Sequence, residues 1–99
     1  MTELVVRAAE GLYCPAGDFH IDPWRPVPRA VITHAHADHA RAGHGAIWAA
    51  AEGIGVLRRR LGADAPIRAL AYGEALDLGR ARVSLHPAGH ILGSAQVRV

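Results

Sequence analysis

The chain has no lysine, a single cysteine and only five Phe, Trp or Tyr side chains among its 99 residues. Cys14 on its own forms no internal disulfide, which excludes a disulfide-stapled secreted scaffold and makes a cytoplasmic protein the default expectation. Long apolar runs are also lacking. Each is interrupted by Arg, Gly or Pro well short of the ~20 residues that a membrane-spanning helix needs. The opening MTELVVRAAE has no basic stretch followed by an apolar one, so no secretory signal is read there. Neither sign of charge dominates: eleven basic residues, all arginine, face nine acids for a formal net charge of +2. That balance neither demands nor excludes a nucleic-acid partner.

What is present is a chain built to pack. It is 51% hydrophobic and 20% charged, a composition that buries apolar surface rather than staying disordered. Its length allows one domain at most, burying roughly 60–68% of the unfolded surface, so the core is thin. Residues 2–7 and 11–14 read as short strands about a turn at Glu10-Gly11, and residues 15–18 as a second turn. Phe19 to Asp22 alternates as a half-buried strand does. Pro23, Pro26 and Pro28 make the next stretch a rigid connector. Arg29 to Thr33 is a buried strand, and Ala46 to Ala50 reads as a short strand. Ile54, Leu57 and Leu61 stand at helical spacing within a helix over 51–61, which Gly62 ends. Residues 66–72 predict a strand, 73–79 a turn, 80–85 a strand, 86–93 an irregular loop and 94–99 a strand.

Histidine is the excess: seven are present, five of them in two short clusters. His34-Ala35-His36-Ala37-Asp38-His39 places four metal-ligand side chains in six residues. On a helix His34 and His36 would stand about 200° apart. At the end of an extended strand they project to one side and can share an ion. Asp38 and His39, beyond the bend, can reach a second. A structural zinc site is disfavoured because such sites are rich in cysteine.

HAHADH resembles the HxHxDH signature of the metallo-β-lactamase superfamily. His86-Pro87-Ala88-Gly89-His90-Ile91-Leu92-Gly93-Ser94 is similar to the AGHxLGS-like loop of its nuclease branch. Together with the stretch from Tyr13 to Pro26, YCPAGDFHIDPWRP, these motifs look like the bacterial DNA-ligase-associated exonucleases, relatives of the β-CASP nucleic-acid-processing enzymes. The strand order, mostly β with one or two interposed helices, suggests an α/β or α+β layered domain; the resemblance implies an α/β fold, the N-terminal part of a metallo-β-lactamase αββα sandwich, incomplete over residues 1–99. It implies His34, His36 and His90 around one zinc ion, and Asp38 and His39 around a second. Asp38 and Asp22 become the catalytic candidates: Asp38 would accept a proton from the attacking water, and Asp22 would orient a ligand histidine through its ring N–H.

The implied activity is zinc-dependent DNA exonuclease or phosphodiesterase chemistry in repair, with DNA as substrate, an ATP-dependent DNA ligase as partner and no membrane. Paired divalent ions activate water and neutralise charge developing on the phosphate. Further ligands of such enzymes fall beyond Val99. The 99-residue chain is therefore expected to be a fragment that binds zinc poorly, is inactive alone, and leaves one sheet with an apolar uncovered face and an unpaired edge. Two other functions stay open. One keeps the metals but processes RNA or hydrolyses small esters, thioesters or lactams; the other is a non-catalytic interaction module from a shortened gene.

Several residues are read as structural. His86 is expected at a strand end, His20 as a satisfied strand histidine and His44 in solvent. Arg58, Arg59 and Arg60 fan out by about 100° each and form no single stripe, so they read as a solvated helix face. Trp24 and Trp48 are expected in the core.

Overall fold

A computed structural model describes residues 5–34, 42–87 and 95–99. The elements among them are β1 (Val6–Ala8), β2 (Gly11–Cys14), β3 (Phe19–Ile21), β4 (Arg29–Val31), β5 (Ala46–Ala50), a 3-10 turn (Ala51–Gly53), α1 (Ile54–Leu61), β6 (Ile67–Leu70), β7 (Ala75–Leu78), β8 (Ala81–Pro87) and β9 (Ala95–Arg98). The first six strands form one sheet in sequence order, and β7, β8 and β9 form a second. β1, β2 and β3 are an antiparallel meander, after which β3, β4, β5 and β6 run parallel.

The larger sheet is covered on both faces. Ile32, Ile47, Ala49 and Ile67 meet Leu57 of α1 on one side. On the other, Cys14, Phe19, Val31, Ala50 and Leu70 pack against Leu78, Val83, Leu85 and Ala95 of the second sheet. The eight residues of α1 are too few to hold a helix in isolation. Its apolar side, with Leu57 buried and Ile54 and Leu61 partly so, holds it on the sheet. Gly62, at φ 103, ends it, with its N–H on the Arg58 carbonyl.

The expected αββα sandwich is not what these residues form. Strands make up 45% and helical residues 14% of the described structure, with one α-helix, so the domain is predominantly β in two sheets. Among the described residues only 54–61 form an α-helix, and the apolar residues elsewhere alternate at strand spacing between Pro and Gly turns, so they build sheets and not a second helical layer. The helix is also shorter than expected, because 51–53 winds as a 3-10 turn. Residues 75–78 are a strand where a turn is predicted: Leu76 and Leu78 point to the core and pair with Val83 and Ala81. β8 likewise runs on through His86 and Pro87, which pair with Gln96 and Ala95. The outward face of the second sheet is polar, carrying Asp77, Arg82, Ser84, His86, Gln96 and Arg98, so the expected apolar uncovered face is not found there.

Trp24 departs from its expected place in the core. Its backbone N–H donates to the Glu10 carbonyl at 2.9 Å and its indole Nε1–H to the Ala9 carbonyl at 2.9 Å. Both donors are spent on the β1–β2 turn, and the side chain is left 49% exposed. Trp48 is half-buried against the core between two guanidiniums, Arg29 at 5.9 Å and Arg68 at 5.8 Å from the ring centroid. No described helix is long and apolar enough to cross a membrane.

Candidate functional site

β3 and β4 lie parallel and side by side, with Ile21 opposite Val31. The chain leaves β3 at Asp22, whose φ of 47° lies in the left-handed region, a conformation that Asp and Asn tolerate better than most residues. The Asp22 N–H donates to the Val31 carbonyl at 2.9 Å. That turn aims the carboxylate across the end of β4. Oδ1 accepts the Thr33 backbone N–H at 2.7 Å and Oδ2 accepts the Thr33 hydroxyl at 2.6 Å. Asp22 thus holds Thr33 by main chain and side chain together.

The Thr33 hydroxyl is also 3.0 Å from Nδ1 of His34. A carboxylate only accepts, and a hydroxyl has one hydrogen to give. That hydrogen lies toward Asp22, so the hydroxyl accepts from Nδ1–H and the lone pair of the half-buried His34 ring resides on Nε2. The acidic residue therefore does reach a histidine, but through the intervening threonine rather than by direct contact. Thr33 was not singled out from the sequence. The available signal was a hydroxyl residue at a strand end immediately before the first histidine.

A second feature meets this point from the other sheet. The N–H of Ala95, the first residue of β9, donates to the Thr33 carbonyl at 2.8 Å. Ala95 also pairs with Pro87 at the end of β8. The residue just before the HAHADH motif and the residue just after the AGHILGS stretch are thus in direct contact. His36, Asp38, His39 and His90 lie outside the described residues. Among the described residues no three His, Cys, Asp or Glu side chains gather into a metal-binding group.

The remaining histidines fall into place as structure. His86 is a β8 residue with Nε2 2.9 Å from the Ser84 hydroxyl. His20, in β3, lies 3.5 Å from the Glu10 carboxylate and 4.7 Å, centroid to centroid, from the Tyr13 ring. His44 departs from the solvent position expected of it: it is 4% exposed. Its Nδ1 accepts the Val27 N–H at 3.2 Å, and its buried Nε2 has no hydrogen-bond partner among the described residues. The Gly45 and Ala46 N–H groups bond to the Val27 and Pro28 carbonyls, drawing this segment onto the proline connector. A Cβ at Gly45 would stand 2.6 Å from the Pro28 carbonyl oxygen, so only glycine allows that approach. Burial lowers the His44 pKa below its ordinary value, and the neighbouring His20 adds to the effect. Arg58 of the arginine run reaches the Ala63 carbonyl at 3.0 Å, while Arg59 and Arg60 face solvent.

No protein-family model matches the chain, and no solved structure matches it. The chain is 39% identical over 92 residues to a protein of Opitutus terrae named a probable DNA ligase. The alignment takes in 92% of this chain and 9% of that protein, so the chain spans less than a tenth of the length of the relative it resembles.

Proposed function

We propose that this chain carries the histidine-rich part of a zinc-dependent nuclease of the metallo-β-lactamase superfamily, hydrolysing DNA phosphodiesters in association with a DNA ligase. The observation that carries this reading is the contact of Thr33 with Ala95, which holds the two histidine-bearing segments together at one end of each. Beside it, the Asp22–Thr33–His34 chain sets the tautomer that a ligand imidazole requires. The place is also apt, since ligands of parallel sheets bind beyond the carboxyl ends of the strands. The 39% identity to a protein named a probable DNA ligase supports the DNA setting.

Imidazole and carboxylate donors suit zinc. His34, His36 and His90 would hold one ion, and Asp38 and His39 a second. When bound, such a pair supplies an activated water and offsets charge on the scissile phosphate. The chain's own groups do the rest. Asp22 keeps Thr33 in place, Thr33 orients the His34 ring, and Asp38 accepts a proton from the attacking water.

The test is zinc content together with nuclease activity of the protein expressed from its intact gene. The expected result is about two zinc ions per chain and chelator-sensitive release of nucleotides from end-labelled DNA, with both reduced in His36→Ala. A folded wild-type protein without zinc, or full activity in a zinc-verified His36→Ala protein, overturns the proposal. The zinc-free result would favour a non-catalytic interaction module.

A further inference from the structure

The outward face of the second sheet carries a groove of about 390 Å³, lined chiefly by Gly73, Ala75, Arg82, Ser84, His86 and Arg98. We infer that this groove is a phosphate-binding site that takes the phosphodiester backbone of a nucleic acid, built on β7, β8 and β9 and sharing only His86 with the second histidine segment.

Its construction follows from strand alternation. Ala75, Ser84 and Arg98 form one rung across β7, β8 and β9, with Asp77–Arg82 and His86–Gln96 as neighbouring rungs on the same face. Opposite sides of the same strands supply Leu76, Val83, Leu85 and Val97 to the core, so the groove rests on a packed floor. Gly73 and Ala75 lack bulk, which leaves the space. At the margin its N–H ties Gly73 to the Leu85 carbonyl at 2.9 Å, fixing that wall.

The lining chooses the ligand. Two guanidiniums flank a hydroxyl and an imidazole, and no Asp or Glu side chain among the described residues lines the space. Asp77 engages Arg82 at one nitrogen, Nε, at 3.1 Å, with both side chains more than two-thirds exposed, which leaves the terminal nitrogens of the fork directed elsewhere. Arg98 makes no ion pair among the described residues. Guanidinium forks bind phosphate oxygens in bidentate fashion. Ser84 and His86, joined by their 2.9 Å hydrogen bond, present a further donor to one of the two non-bridging oxygens. Among the described residues no Phe, Tyr or Trp lines the groove to stack on a base, and Val99 is the one aliphatic side chain larger than alanine at its margin. A phosphate group takes up only part of a groove of about 390 Å³, and the remaining space admits the flanking sugars of a backbone passing through.

The experiment is binding of a fluorescent single-stranded oligonucleotide to the full chain in chelator, where no hydrolysis occurs, over a range of salt. Arg82→Ala/Arg98→Ala is expected to bind at least about tenfold more weakly. The slope of log affinity against log salt should flatten by about 1.4, roughly 0.7 for each lost phosphate contact. Arg82→Lys/Arg98→Lys keeps the charge and should keep the slope, and Arg59→Ala, on the exposed helix face, should match wild type. A dinucleoside monophosphate should compete at lower concentration than inorganic phosphate. Stronger competition by inorganic phosphate would assign the groove to the free anion and overturn the backbone assignment. Wild-type affinity and slope in a folded double-alanine variant, or an equal loss in Arg59→Ala, would overturn the site altogether. Because the assay is metal-free, a chain that binds no zinc yet loses DNA with these arginines would sink the nuclease proposal and leave this one standing.

Discussion

At the residue scale, the hydrogen on the Thr33 hydroxyl decides what His34 can do. Asp22→Asn keeps a residue that tolerates positive φ and keeps an oxygen for the Thr33 N–H. Its amide, however, donates to the Thr33 hydroxyl and turns that hydrogen toward Nδ1 of His34. The ring proton then moves to Nε2, where a metal would bind. Zinc affinity in a chelator competition should drop about 10–100-fold, with the melting temperature nearly unchanged; Thr33→Ser should restore what Thr33→Val loses. Equal zinc affinity in Asp22→Asn would show that the relay has no bearing on the metal. His44 offers a different test. Its folded pKa lies below the ordinary 6.5 because burial penalises the charged ring. The stability it contributes is therefore complete above 6.5 and is lost as pH falls from there through the lowered folded value. His44→Asn, which retains an acceptor for the Val27 N–H, should show a smaller drop in melting temperature than wild type between pH 7.5 and pH 5. His44→Ala should cost about 1–3 kcal/mol at neutral pH by stranding that N–H.

At the element scale, the two sheets are joined where two turns meet. The Arg80 N–H donates to the Ala16 carbonyl at 2.8 Å, and Gly79 sits there at φ 56°. A Cβ at Gly79 would approach the Ala16 oxygen to 2.7 Å. Gly79→Ala should therefore cost about 1–2 kcal/mol from backbone conformation alone, and more from displacing the β2–β3 turn. Thermal melts should show it lower by at least about 4–8 °C in a domain of this size. Gly55→Ala, with open space around its Cβ, should not lose stability. The same elements show which parts of the fold could be read ahead of the structure. Alternation and turn residues located eight of the nine strands, and the spacing of Ile54, Leu57 and Leu61 located the helix. β7 was missed because two glycines flank a four-residue strand. The layered sandwich was borrowed from a motif resemblance, and motif residues report local chemistry rather than the number of helices around it. His44 was misplaced for a related reason: its burial depends on Gly45 closing onto Pro28, a contact between segments that periodicity does not record.

At the scale of the whole molecule, the candidate site lies on the seam between the sheets rather than on either one. Asp22 and Thr33 belong to the larger sheet and Ala95 to the smaller. The sequence presents the two histidine clusters as separate loops; the contact of the flanking residues Thr33 and Ala95 arises from parallel pairing of β3 with β4 and the return of β9 along β8, which no local pattern specifies. A metal held by His34 on one side and His90 on the other would tie both sheets at once. Its binding free energy would then appear as global stability, not as ordering of one loop. Zinc at 100 times its measured dissociation constant should add about 2.7 kcal/mol, raising the melting temperature of a domain this size by roughly 10–20 °C at about 4–8 °C per kcal/mol. Excess chelator should reverse the shift, and alanine at His34 or at His90 should each remove most of it. A rise lost in His34→Ala but kept in His90→Ala would place the ion on the first segment alone, and the seam would then hold no metal between the sheets.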